Sequence, residues 1–475
     1  MRCPYCGSIF ELSDAIEVCG QEIITGCLKC DCNLFPIIDE IPIIKDNIAN
    51  KYYINYIKNG QIQKASALAL AISTNLYSYD ICRIANLISS KPFGGILESM
   101  IMKICNYFYM AKYRCYSNQS KYFWDIAGIS DYLRHRFSTQ TFWSLYPFIP
   151  IIQKKEGFIL DLCCGCGHAS SLISNYVNDK NIICVDADFK HLYLAKRYFS
   201  NSAFINVDVN GQLPFKDSIF SSVIMMDAFA YISARSLLSR ELFRVMDADG
   251  NLLLTHIHNS HLENVCPGNP LTPANLQNLF KEYDIKILPE DKIIEDFIRS
   301  DQLNLSREYS SAELDSSNLI LLKTPYIENY VNLRSKLYPQ CGNLIINPIY
   351  KIKSKNENKI VLKREFPSEY FRKEYPMSES YLIDNYELDL NDLNSKETIC
   401  NLLGKFILIN APKRYMKTKF NFNSGTERLQ DKVESAKSNF SELALAMFCG
   451  DVFDITRFDI LNSWEFMFIC NCAYI

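Results

Sequence analysis

The chain has 475 residues, 48% of them apolar, with a formal net charge of −3 and an isoelectric point near 6.1. That length predicts about three domains, and the near-neutral balance excludes an overall basic field for nucleic acid, leaving room only for a local patch. No uncharged apolar run reaches membrane-spanning length: Ile96 to Met110 comes nearest, and Glu98 and Lys103 interrupt it. The start, Met1-Arg2-Cys3-Pro4, carries no apolar signal region. The 19 cysteines sit largely inside strands or beside glycines rather than at disulfide spacings, so a reduced, cytoplasmic protein is expected.

The first element is a cysteine framework. Cys3-Pro4-Tyr5-Cys6 and Cys27-Leu28-Lys29-Cys30 are two CxxC pairs separated by 20 residues. Each pair suits a tight knuckle whose amides face sulfur, and two knuckles close a tetrahedral thiolate site. A segment this short needs such a staple to fold. The expected ligands of a structural Zn²⁺ are therefore Cys3, Cys6, Cys27 and Cys30. Cys19 and Cys32 are spare thiols that could join the set, and a redox CxxC or incidental cysteines are the competing readings. With the apolar run Phe35 to Ile44 behind it, residues 1–48 resemble a small zinc ribbon, for which a structural or docking role is expected.

Residues 49–149 read as a helical cap. Ala65-Ser66-Ala67-Leu68-Ala69-Leu70-Ala71-Ile72 is rich in helix formers, and Lys91-Pro92-Phe93-Gly94-Gly95 breaks and restarts the pattern. Arg134 and Arg136 come just before the next segment. They either face an anionic ligand or form a solvated basic face ahead of Phe142, Trp143 and Tyr146.

The stretch Gly157-Phe158-Ile159-Leu160-Asp161-Leu162-Cys163-Cys164-Gly165-Cys166-Gly167-His168 is an apolar strand that turns through two glycines into a helix. Glycine is needed where backbone must turn tightly or lie against a ligand. The third glycine of the dinucleotide fingerprint is missing, which favours a nucleoside-type cofactor over NAD. Further strands end on carboxylates at Asp186, Asp208 and Asp227, and another runs through Leu252 to Thr255. Asp186 follows Asp161 by 25 positions, close to the offset at which an acid takes both ribose hydroxyls. Strands alternating with helices at this interval predict a mostly parallel sheet with helices on both faces. Strands near Asp284–Leu288 and Asn318–Leu322 should close it. The polar stretch 290–317 between them is expected to be an insertion or part of a substrate wall.

On these motifs, residues 150–325 resemble a class I S-adenosylmethionine-dependent methyltransferase, with a Rossmann-like, seven-stranded α/β core. The amino-terminal ribbon then resembles those attached to, or partnered with, methyltransferases acting on RNA and other substrates. The resemblance implies that Asp161, Cys163, Gly165 and Gly167 surround the methionine end of S-adenosylmethionine. It also implies that Asp186 binds the ribose, Asp208 lies by the adenine amino group and Asp227 lies beside the sulfonium and the acceptor. Cys163 departs from the glycine usual there.

His256-Ile257-His258-Asn259-Ser260-His261 holds three of the six histidines, at a strand's carboxyl end. A metal site would need all three to converge, although alternation along an extended segment puts only His256 and His258 on one side. A general base needs one imidazole, and ordinary hydrogen-bonded histidines are the third reading. Asp227, His256 and His258 are the catalytic candidates, with Tyr231 a further rival as base. Residues 326–475 read as an α+β accessory domain, with two strands between Ile345 and Phe366 and a helix at Ser441–Ala446. The expected activity is methyl transfer to an O, N or C nucleophile of a small-molecule, specialised-metabolite or glycan-type acceptor. RNA base methylation with the ribbon as docking module, or a scaffold retaining the fold without catalysis, are the alternatives.

Overall fold

A computed structural model describes residues 1–20, 22–74, 76–89, 94–117, 133, 135–263, 268–339, 343–356, 358–390, 393 and 395–412. Residues 1–418 form one compact unit. Arg134 and the helix expected at Ser441–Ala446 lie outside the described residues.

The core sheet is built from strands whose sequences are apolar on both faces, as burial beneath two helical layers requires. They are β5 (Phe158–Leu162), β6 (Ile182–Asp186), β7 (Ala203–Val207), β8 (Phe220–Met226) and β9 (Met246–Ile257), joined by β10 (Lys286–Pro289) and β12 (Leu319–Lys323). Every residue of β8 is buried. The spatial order is β7-β6-β5-β8-β9-β12-β10. The first five are mutually parallel, and β12 runs antiparallel between β9 and β10. Sequence order reverses at β5, whose neighbours are β6 and β8. Ligands of such sheets bind outside the carboxyl ends at this switch point.

The amino-terminal strands are β1 (Glu11–Cys19), β2 (Glu22–Lys29), β3 (Leu34–Ile38) and β4 (Ile41–Ile44), an antiparallel meander. They do not stand apart from the core. β4 pairs in parallel with β7, Ile43 opposite Asn206 and Ile44 opposite Val207, so the sheet runs unbroken through 11 strands. This pairing satisfies the edge of β7, which would otherwise present open backbone groups.

The expected cap helices are α1 (Ala49–Lys58), α2 (Ile62–Thr74), α3 (Leu76–Ser89) and α4 (Gly94–Ser117). Ala65 through Ala71 of α2 are all buried, the pattern of a helix packed on every side. Beyond the core, β11 (Gln302–Asn304) pairs with β13 (Asn329–Val331). The expected hairpin between Ile345 and Phe366 is β15 (Tyr350–Lys355) with β16 (Lys359–Arg364), extended by β17 (Asn385–Asp389). β14 (Asn343–Ile346) pairs with β18 (Leu408–Ala411). This carboxyl-terminal part shares a hydrophobic core with the sheet's helices. Trp143 stacks on Phe406 with ring centroids 4.2 Å apart. Among the described residues, no helix is long and apolar enough to cross a membrane.

Candidate functional site

Two groups of side chains gather at the carboxyl ends of the central strands. The first surrounds the Gly-rich turn. Gly165 and Gly167 have φ of +53° and +78°, in the left-handed region that a side chain disfavours. A Cβ on Gly167 would lie 3.1 Å from both the Ala195 Cβ and the Ser170 Oγ. Cys163, in the place of a glycine, adopts φ +57°. The backbone therefore keeps a glycine-like turn, at a cost of about 1–2 kcal/mol for the left-handed conformation.

Asp161, on β5, is buried, and its Oδ2 accepts the Ser170 amide at 3.0 Å. Its Oδ1 is also buried and has no hydrogen-bond partner among the described residues. Burial pushes its carboxyl up to about 7, so a cationic ligand group would relieve it. Asp186, at the end of β6, accepts the Gly165 amide (2.9 Å) and the Asp188 amide (2.8 Å), which clamps the turn to the next strand. Asp208 follows β7, is exposed, and accepts the Asn210 amide and side chain, both at 2.9 Å. A buried acid on β5 with one oxygen unpaired among the described residues, a turn through two glycines and an acid beside it on β6 suit a nucleoside bearing an amino-acid tail.

The second group is a buried charge cluster on β8 and β9. Asp227 directly follows β8 and His256 lies near the end of β9. Both have left-handed backbones, with φ of +55° and +51°. Such strain in non-glycine residues gathers at functional sites. Asp227 Oδ2 accepts Arg136 at 2.8 Å, and Oδ1 lies 2.9 Å from His258 Nε2. Burial opposes the charge on Asp227, but Arg136 and His258 hold its carboxyl well below the usual range. His256 Nδ1 lies 2.7 Å from Glu290 Oε2, with both side chains fully enclosed. Burial alone would lower the imidazole, but Glu290 outweighs it and raises His256 to about 9. Gln140 bridges Glu290 (3.0 Å) and Asp291 (2.6 Å), and the Tyr375 ring lies 6.0 Å from that of His256.

The three expected catalytic residues therefore converge, although His261 does not join them; it is half-exposed and pairs with Asp315 at 2.9 Å. Tyr231 is also exposed. Asp227, His256 and His258 are close enough together to ligate one ion. Arg136 competes for that use, because its guanidinium occupies one carboxylate oxygen of Asp227. Glu290 bonds only Nδ1 of His256 and leaves Nε2 as a donor atom. Arg136 is not part of a solvated basic face.

The cysteines that the structure gathers differ from the expected metal ligands. Cys3, Cys6, Cys30 and Cys32 bring their sulfurs within 4.8 Å of one another, while Cys27 lies elsewhere. Alternation along β2 is the reason. Cys27 belongs to the hydrophobic cluster that includes the buried side of α1, whereas Leu28 and Cys30 belong to the opposite one with Cys3. Cys32 completes the cluster, 3.7 Å from Cys3 and 3.4 Å from Cys30, sulfur to sulfur. Four sulfurs held tetrahedrally at the usual zinc–sulfur length would stand about 3.8 Å apart, so the set fits such an ion. The Tyr5 amide also donates to the Cys3 sulfur at 3.4 Å.

Sequence reasoning missed Glu290 and Gln140. Pro289 before Glu290-Asp291 is a helix-start signal, but nothing in the local pattern says that this first turn (helix Glu290–Ser300) is buried against β9.

Comparison with known proteins agrees with the topology. Residues 159–250 match the family described as Methyltransferase domain. A 102-residue stretch is 31% identical to the Ubiquinone/menaquinone biosynthesis C-methyltransferase UbiE of Wigglesworthia glossinidia brevipalpis, covering 20% of this chain. The chain spans 41% of the length of that relative. Among solved structures, the YcgJ protein of Bacillus subtilis is 19% identical, with 37% of this chain and 95% of that one covered and a TM-score of 0.26. A SAM-dependent methyltransferase of Aquifex aeolicus is 15% identical (35% and 80% covered, TM-score 0.26). A chain in the complex of the Haloferax volcanii Trm112 methyltransferase activator is 13% identical (41% and 90% covered, TM-score 0.29). The family match runs from β5 into β9, so this part of the parallel sheet is similar to a methyltransferase domain.

Proposed function

We propose that the protein is a methyltransferase that moves the methyl group of S-adenosylmethionine to an O, N or C nucleophile of a small-molecule acceptor, with Zn²⁺ held by Cys3, Cys6, Cys30 and Cys32 in a structural role. The cofactor supplies an already electrophilic methyl carbon, so the protein has to bind, align and remove a proton. Asp161 would receive the ammonium of the methionine end at its free oxygen, the turn Cys163–Gly167 would lie along that end, Asp186 would take the ribose hydroxyls, and Asp208 would face the adenine.

The observation that carries the reading is the Asp227–His258 pair held by Arg136 at the ends of β8 and β9, next to β5 in the sheet. With Nε2 donating to Asp227, His258 keeps its Nδ1 lone pair to accept a proton from the nucleophile. Asp227 itself is too acidic to be an effective base, and it orients His258. His256, protonated at neutral pH, contributes a fixed positive charge that with Arg136 balances Asp227 and Glu290. The enclosure of His256 and His258, which are 1% and 3% exposed, favours a compact acceptor over a polymer. So does the small-molecule pathway named for the UbiE relative. Within this reading residues 1–48, 49–149, 150–325 and 326–475 serve as ribbon, cap, catalytic core and accessory part.

The test supplies the full chain with methyl-labelled S-adenosylmethionine and two acceptor pools, a small-molecule extract and bulk RNA across a salt series. Label in the small-molecule pool supports the reading. Salt-sensitive label in RNA would replace it with the RNA alternative, and no cofactor binding at all would leave a scaffold.

A further inference from the structure

Lys45 carries the ribbon to the loop that follows Asp186. Lys45 directly follows β4, at the strand end adjacent to β7 and Asp208. Its ammonium donates to the Ala187 carbonyl, in the loop between Asp186 and Asp188. Asp208, Asp188 and Asp186 all act on its charge. The core holds the same loop at Asp186, whose carbonyl accepts the Asn206 side chain at 3.0 Å, and Lys45 adds a contact from the ribbon side at Ala187.

The position of Lys45 is in turn fixed from both cysteine loops. Tyr5, between Cys3 and Cys6, accepts the Asp46 amide on its hydroxyl at 2.9 Å and stacks on Phe35 at 6.0 Å between centroids. Asn33, next to Cys32, donates to the Asp46 carboxylate at 3.3 Å. Asp46 is the neighbour of Lys45, so each knuckle of the sulfur cluster holds the residue that aims the lysine. Asn50 adds a grip on the Lys45 carbonyl at 2.6 Å from α1, which limits the effect to a modest one.

We propose that Lys45 is a positioning residue of the cofactor site, holding the Asp186–Asp188 loop in its binding geometry, and that metal in the Cys3–Cys6–Cys30–Cys32 cluster sets its place, so cofactor affinity depends on metal loading. The proposal rests on the reading that the core binds S-adenosylmethionine and the ribbon binds zinc. Without the metal the two loops lose their common anchor, Asp46 is released, and the lysine no longer pins the Ala187 carbonyl.

The experiment is calorimetric titration of S-adenosylmethionine into the full chain, zinc-loaded and chelator-stripped, with zinc content measured in each sample. Stripping should weaken the native protein about fivefold, the worth of one hydrogen bond. Lys45→Met should weaken the loaded protein by about five- to tenfold and become insensitive to stripping, while Lys45→Arg keeps the native response. Tyr5→Phe, which retains the ring stack and the sulfurs, should keep its zinc yet lose about two- to fivefold in affinity. Equal weakening of native and Lys45→Met proteins on stripping, or native affinity in Tyr5→Phe together with native affinity in Lys45→Met, overturns the proposal. If the loaded native protein binds no S-adenosylmethionine, it is the cofactor reading that fails, and that is seen before any variant is made.

Discussion

The two ends of the site are built on different principles. The proposed cofactor end is local: Asp161, the Cys163–Gly167 turn and Asp186 lie on adjacent strands, and backbone amides make most of the bonds. The proposed acceptor end is assembled from distant parts of the chain, with Arg136 and Gln140 from the segment before β5, Asp227 and His258 from the ends of β8 and β9, and Glu290 from the helix after β10. A local site tolerates most single changes as a shift in geometry. A network of four buried charges does not, because removing one partner strands another.

The largest effect should come from breaking that network. Arg136→Ala leaves Asp227 buried without its guanidinium, which should destabilise the fold by about 3–5 kcal/mol in denaturant unfolding and abolish transfer. Arg136→Lys, lacking the planar fork, should recover only part of it.

The pair His256–Glu290 gives the same comparison a pH signature. The folded pKa of His256 is raised to about 9 against about 6.5 in an unfolded chain. Its contribution is therefore fully present below about pH 6.5 and lost as pH rises through 9, since over that window the folded state holds the extra proton. Unfolding free energy measured from pH 6 to 9.5 should fall across this range, and in Glu290→Gln the fall should flatten. A native protein whose stability rises through that window would contradict the charge assignment.

At the cofactor end the effects should be smaller. Gly167→Ala combines a left-handed φ with a crowded Cβ and should cost about 1–3 kcal/mol, with cofactor affinity reduced alongside. Cys163→Gly should be nearly neutral, within about 1 kcal/mol, because relief of the left-handed strain is offset by the greater freedom of glycine in the unfolded chain. A large loss there would show that the thiol has a role beyond filling the turn.

Legibility in the sequence follows the same division. The strand ends at Asp161, Asp186, Asp208 and Asp227 could be read because an apolar run closing on a carboxylate is a pattern of adjacent residues. His256 and His258 were legible as a pair on one side of a strand, but their approach to Asp227 was not, because it depends on how β8 and β9 pair. Glu290 was not, because its burial depends on where a helix packs. The ribbon shows the limit most clearly. CxxC spacing pointed to Cys27, yet an extended strand sends Cys27 and Cys30 to opposite faces, and Cys32, two residues on from Cys30, is the sulfur that shares its side. The pairing of β4 with β7 joins segments more than 150 residues apart, and no local pattern announces it.

The central claim is that the turn on β5 and the acid on β6 form an S-adenosylmethionine site. Calorimetric titration of the cofactor into the native chain and into Asp186→Ala tests it most directly. Saturable binding by the native chain, weakened at least about tenfold in the variant by the loss of charged hydrogen bonds, is the predicted result. Equal binding by both proteins would contradict the site as drawn, and no binding by either would contradict the cofactor itself.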